Sequence, residues 1–182
     1  MNTKSILIVG LGGQGVNKLG NIIADILLNK GYDTKLSCIK GMAQRDGEVI
    51  IEIRYGSKIY SSRISRGEAD YIIALEKYEA LRNIEFLNKN GTLLVYNKLI
   101  PDDSIMKETE KDPIDQIHDR LNLKYNIRVV NENKKHEKFV NIILLREFIK
   151  IIGIHEERCV ESMQKHIPNN FIEENINLLR SH

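Results

Sequence analysis

The chain has 182 residues, 42% hydrophobic and 29% charged, with 27 basic against 25 acidic side chains, no Trp and two Cys. That length suits one domain, residues 1–182, with a core large enough to need neither disulfides nor a structural metal. Near-balanced charge excludes a protein devoted to neutralising nucleic-acid phosphates. No apolar run approaches the roughly 18–20 residues of a membrane span, and the opening Met1 to Val9 has no export-signal pattern, so a cytoplasmic protein is expected.

Ser5 to Val9 reads as a buried strand that runs into Gly10-Leu11-Gly12-Gly13-Gln14-Gly15. A helix follows, with Val16, Leu19, Ile22, Ile23, Ile26 and Leu27 at three- and four-residue steps and Gly31 as its stop. A second strand, Thr34 to Ile39, leads into the polar loop Lys40 to Gly47. Val49 to Tyr55, the turn Gly56-Ser57 and Lys58 to Tyr60 then read as a hairpin.

The β/α alternation resumes with a strand at Tyr71 to Leu75, a helix at Glu76 to Leu87, the turn Asn90-Gly91 and a strand at Thr92 to Tyr96. Pro101 to Asp112 is a polar connection. A helix at Pro113 to Leu123, a strand at Ile127 to Val130 and three further helices (Phe139 to Ile152, His155 to His166, Asn169 to Leu179) complete the chain. The fold class is α/β: doubly wound, a mostly parallel sheet with an inserted antiparallel hairpin and a helical C-terminal part.

Gly10, Gly12 and Gly15 satisfy GxGxxG between a strand and a helix, where backbone N–H groups can cradle phosphate. The structural alternative is a tight turn that needs glycine for positive φ or close packing. An NAD or FAD site also wants an acid at the end of the second strand, but that strand ends Ser37-Cys38-Ile39-Lys40, and Asp33 precedes it. No Gly-Lys-Ser/Thr closes the loop, which excludes a P-loop.

Gly13 and Gln14 make the loop unusual, since an amide among glycines adds a donor and an acceptor. The loop holding Met42, Gln44 and Arg45 follows the second parallel strand and should share the carboxyl edge of the sheet with the glycine loop. Arg45 offers a fork for phosphate or carboxylate, or an ion pair with Asp46 or Glu48. Glu76 ends a strand at that edge, and either binds a ligand or caps the helix it begins. Lys134-Lys135-His136-Glu137-Lys138 is a solvated helix entry or a phosphate contact. Cys38, in an apolar strand, reads as a buried inert thiol. Cys38 and Cys159 are too few for a zinc site, an iron–sulfur cluster or a disulfide framework, and the five His lack metal-site spacing.

Gly10 to Val16, Gly41 to Arg45, Gly67-Glu68-Ala69-Asp70, Ala74-Leu75-Glu76 and Glu79-Ala80-Leu81 stand in an order and spacing that resemble the gamma-type subunit of 2-oxoacid:ferredoxin oxidoreductases. Within that family the likeness is to the small subunit type of the indolepyruvate enzymes. Phe139-Val140-Asn141 and Pro168-Asn169-Asn170-Phe171 extend the resemblance. Asp46 stands where the family usually has Gly, and Lys40 where many members have His.

The resemblance implies an enzyme that decarboxylates a 2-oxoacid, indolepyruvate or another arylpyruvate, to an acyl-CoA and carbon dioxide while reducing ferredoxin. Thiamine diphosphate, magnesium and iron–sulfur clusters are then expected on a large catalytic partner subunit, with coenzyme A as co-substrate and this chain inactive alone. The expected contact residues for coenzyme A, the thiamine site or the partner are Gly10, Gly12, Gly13, Gln14, Gly15, Met42, Gln44 and Arg45. Two alternatives stand beside this: a stand-alone Rossmann-like nucleotide-binding reductase, and a non-catalytic assembly subunit.

Overall fold

The computed structural model describes residues 3–41, 47–100, 111–120, 126–131 and 134–181. β1 (Lys4–Leu11) is followed by α1 (Val16–Asn29), β2 (Asp33–Lys40), β3 (Glu48–Gly56), β4 (Ala69–Ala74), α2 (Lys77–Asn83) and β5 (Leu87–Tyr96). α3 (Pro113–Arg120), β6 (Asn126–Val130), α4 (Val140–Ile152), α5 (Glu157–His166) and α6 (Asn169–Arg180) complete the order. The sheet runs β2-β3-β1-β4-β5-β6.

β1, β4, β5 and β6 pair in parallel, and β3 pairs antiparallel with β1 on one side and β2 on the other. β2 therefore runs parallel to β1 with β3 inserted between them. Successive side chains of a strand point to opposite faces, so a strand covered on both sides must be apolar throughout. β1 shows this: Ile6 and Ile8 join the core under α1, α4, α5 and α6, while Leu7 and Val9 join the core under α2 and α3.

Two expectations from sequence are corrected. The antiparallel partners of β3 are β1 and β2, not Lys58 to Tyr60, which forms no strand. The donors of that segment go to side chains instead: Ile59 N–H donates to Asp33 Oδ2 at 2.6 Å, and Ile64 N–H to the buried Glu52 Oε1 at 3.0 Å. Nor do Asn90 and Gly91 form a turn between elements; they lie inside β5, with the register slipping between Ala69 and Tyr71 of β4. A Cβ on Gly91 would sit 2.6 Å from Leu87 Cδ1 and 3.0 Å from Ala69 O, so glycine permits the close approach of the two strands there.

The helical C-terminal part closes the face that α1 covers incompletely. Phe148 of α4 is 1% exposed and meets Tyr71 edge-on at a centroid distance of 5.3 Å. Among the described residues, no helix is long and apolar enough to cross a membrane.

Candidate functional site

β1 delivers the glycine loop to the carboxyl edge of the sheet, and β2 delivers the start of the next loop to the same edge. The two meet directly: Gly12 N–H donates to Gly47 O at 2.9 Å, and Gly41 N–H to Glu48 O at 2.8 Å. The expectation that both loops share one edge therefore holds at their roots. Met42, Gln44 and Arg45 themselves lie outside the described residues, as does the Arg45 ion pair.

Within the glycine loop the residues divide by role. Gly10 is a packing residue: a Cβ there would fall 2.7 Å from Gln14 Oε1 and 3.0 Å from Leu75 Cβ. Gln14 turns its carbonyl inward, with Oε1 accepting Leu11 N–H at 2.7 Å, so the acceptor that the sequence offered a ligand holds the loop closed instead. Gly13 and Gly15 have φ of 87° and 83°, the left-handed region that favours glycine. Gly15 is the N-cap of α1, which has neither a side-chain cap nor an acid in its first turn. The N–H end of a 14-residue helix is thereby left to an outside acceptor.

That end opens into a cleft of about 190 Å³ between α1, α4 and α6, lined by Gly13, Gln14, Gly15, Lys18, Lys138, Asn141 and Phe171 among others. Lys18 has no acidic partner among the described residues. Asn141 is 7% exposed, and its carboxamide, crowded against Gly15, has no hydrogen-bond partner among the described residues. Lys138 carries an exposed ion pair, 3.4 Å to Glu174, and its Nζ lies 4.6 Å over the centroid of the Phe139 ring. Phe171 is half exposed. Two cations, an open helix N-terminus and an amide on the cleft wall make a site for an anion with an apolar rim.

Sequence reasoning missed Lys18, Asn141 and Phe171 as cleft residues. An Asn within the most apolar helix of the chain was the one available signal for Asn141, since a buried amide requires a partner. Lys138 was flagged, and the fold brings it to the glycine loop from more than a hundred residues away.

Glu76 is the cap of α2. Its buried carboxylate accepts the N–H groups of Tyr78, at 3.0 Å, and of Glu79, and also that of Ile100. Burial raises its pKa against the pull of those donors. Cys38 is exposed rather than buried, because β2 is an edge strand, and its Sγ lies 3.1 Å from Asn17 Oδ1. Cys159 is the buried thiol, pushed up to about 12 by its apolar surroundings. Among the described residues no group of three or more His, Cys, Asp or Glu stands together as a metal site.

The arrangement also bears on dinucleotides. The insertion of β3 moves the tip of β2 one strand, about 4.8 Å, further from the glycine loop than in a dinucleotide fold. Asp33, the nearest acid, stands at the opposite end of β2 and is bonded to Ile59 N–H.

A mixed α/β sheet with an uncapped glycine loop at its carboxyl edge defines the class. The chain belongs to the pyruvate ferredoxin/flavodoxin oxidoreductase family, whose model matches residues 5–181. It is 29% identical to the indolepyruvate oxidoreductase subunit IorB of Methanothermobacter thermautotrophicus over 97% of this chain and 94% of that one. In fold it resembles the gamma subunit of the keto/oxoacid ferredoxin oxidoreductase of Geobacter sulfurreducens, with a TM-score of 0.71 at 19% identity over 99% of this chain and 94% of that one. It also resembles part of the 2-oxoglutarate:ferredoxin oxidoreductase of Magnetococcus marinus, a structure with 2-oxoglutarate, coenzyme A and succinyl-CoA bound. There the TM-score is 0.76 at 13% identity, over 98% of this chain and 30% of the longer one.

Proposed function

We propose that the chain is the small subunit of a cytoplasmic 2-oxoacid:ferredoxin oxidoreductase, with indolepyruvate or another arylpyruvate as the oxoacid, and that its own share is to hold coenzyme A. The carrying observation is the cleft at the N-terminus of α1, where Lys18, Lys138 and Asn141 converge on the glycine loop. Coenzyme A supplies what such a cleft lacks: phosphate oxygens for the first-turn N–H groups and the two ammonium groups, and an adenine ring for Phe171. Its volume suits a phosphate or diphosphate rather than the whole molecule, so the pantetheine arm extends out of it toward the partner.

In the proposed holoenzyme the oxoacid loses carbon dioxide, its acyl group passes to the thiol of coenzyme A and two electrons pass to ferredoxin. Thiamine diphosphate with magnesium and iron–sulfur clusters, on the large partner subunit, supply that chemistry. The residues of this chain bind and orient. The α1 N-terminus and Lys18 fix the phosphate charge, the Asn141 amide donates to it, and Gln14 keeps the loop in the required turn. Gly41 and Gly47 root the neighbouring loop at the same edge, and on that ground Met42, Gln44 and Arg45 are assigned to the same ligand.

The test is reconstitution with a candidate large subunit, measuring oxoacid- and coenzyme A-dependent reduction of a low-potential acceptor. Activity is expected only with both subunits. Lys18→Ala should raise KM for coenzyme A about tenfold with little change in kcat, the worth of one charge-assisted hydrogen bond. Activity of this chain alone, no activity with any partner tried, or an unmoved KM for coenzyme A would refute the proposal.

A further inference from the structure

Beside the glycine loop, outside the cleft just described, lies a carboxyl group for which nothing so far has given a use. Glu79, in α2, is 0% exposed. Its Oε1 takes the guanidinium of Arg82, while its Oε2 is buried and meets no N–H or O–H donor among the described residues. Another carboxyl, that of Glu48 at the start of β3, is held beside it: Glu48 Oε1 accepts the Nδ2 of Asn83, one helical turn on from Glu79, at 3.2 Å. Two carboxylates have only acceptors to offer each other, so a hydrogen bond between them requires one proton held by the pair.

The position of the pair gives it a consequence. Glu48 is the strand partner of Leu11, the residue that opens the glycine loop, and Glu48 O accepts Gly41 N–H. Its neighbour Gly47 accepts Gly12 N–H, and Glu48 Oε1 accepts Asn83 Nδ2 at 3.2 Å. Whatever fixes the Glu48 side chain to α2 therefore also fixes the peptide groups that hold Gly12 and Gly41.

We propose that Glu48 and Glu79 share one proton that fastens the start of β3 to α2, and that this proton, through Gly47 and Gly12, holds the glycine loop in its ligand-binding form. Glu79 is in these terms a positioning residue. The proposal rests on the reading of the loop as a coenzyme A site.

The electrostatics support it. Burial, with the Glu48 carboxyl adding to it and Arg82 opposing it, lifts the Glu79 carboxyl from an ordinary 4.5 to about 7. Among the described residues, the charged groups acting on Glu79 are Arg82 from α2 and Glu48 from β3. α3 presents Pro113 and Ile117 as its buried residues, with Asp115, His118, Asp119 and Arg120 exposed and Asp112 paired to Lys77. β1 contributes no titratable side chain between Val9 and Leu11. Because the shifted group is an acid with a raised pKa, the proton is present below neutrality and is lost as pH rises through about 7.

The experiment measures the affinity of the holoenzyme for coenzyme A from pH 6 to 8.5, for the wild type and for Glu79→Gln, whose amide N–H donates to Glu48 permanently. Differences between the two profiles cancel the titration of coenzyme A itself. The wild type is expected to lose about fivefold in affinity over the pH unit above the midpoint relative to Glu79→Gln, the change that one linked proton produces there. A protonated-carboxyl C=O band should appear in the infrared spectrum of the wild type at pH 6 and be missing from Glu79→Gln. Parallel pH profiles, or no such band, would overturn the proposal. If wild-type holoenzyme binds no coenzyme A at any pH, the coenzyme A reading fails, while the band still reports whether the pair shares a proton.

Discussion

The cap of α2 provides the sharpest test of how this edge of the sheet is held. In Glu76→Ala, the N–H groups of Tyr78, Glu79 and Ile100 lose their acceptor. At 1% exposure for Glu76, water does not replace it without local opening. Loss of an N-cap costs about 0.5–2 kcal/mol, and each further stranded donor about 1–3 kcal/mol. Against this stands the relief of a carboxylate that burial disfavours, so the net expectation is a loss of about 2–4 kcal/mol. For a chain of this size that lowers Tm by roughly 5–15 °C. Urea denaturation of the full chain, followed by far-UV circular dichroism, should show a lower midpoint with an unchanged m-value. Glu76→Gln retains one carbonyl oxygen and should recover about half of the loss. An alanine variant within about 0.5 kcal/mol of wild type, or a glutamine variant as damaged as alanine, would refute the assignment of Glu76 as the cap.

Two other outcomes follow from the geometry. Gly15→Ala places a Cβ at a φ of 83° and 2.7 Å from Asn141 Nδ2, and should destabilise by about 1–3 kcal/mol. Adding Asn141→Ala should recover the steric part and leave the backbone part, a non-additivity read from a double-mutant cycle. In native protein a thiol reagent should label Cys38 rapidly, whereas Cys159, 0% exposed and raised to about 12, should react only on unfolding. Two rapidly reacting thiols would contradict the packing of α5 against α1.

Much of this architecture was written in local pattern. The apolar run Ser5 to Val9, the three- and four-residue steps from Val16 to Leu27 and the apolar stretch from Phe139 to Ile152 became β1, α1 and α4 because burial on both faces of a sheet demands those periodicities. The glycine spacing located the loop, and Lys134 to Lys138 contained a residue that lines the cleft. Two cysteines far apart in the chain bounded what metal chemistry it could carry.

Partners in space are not local, and the tertiary structure alone decided those. β3 wedges between β1 and β2, and the donors of Ile59 and Ile64 after it find Asp33 and Glu52 rather than a second hairpin arm. Gln14 spends its carbonyl on Leu11, and the cleft it helps to line is completed by Lys18, Asn141 and Phe171, on helices far apart in sequence. Glu48 and Glu79 look in sequence like two ordinary surface acids. Only the crossing of β3 and α2 at the carboxyl edge sets the half-buried Glu48 beside the buried Glu79, and two acceptors brought together there are what call for a proton.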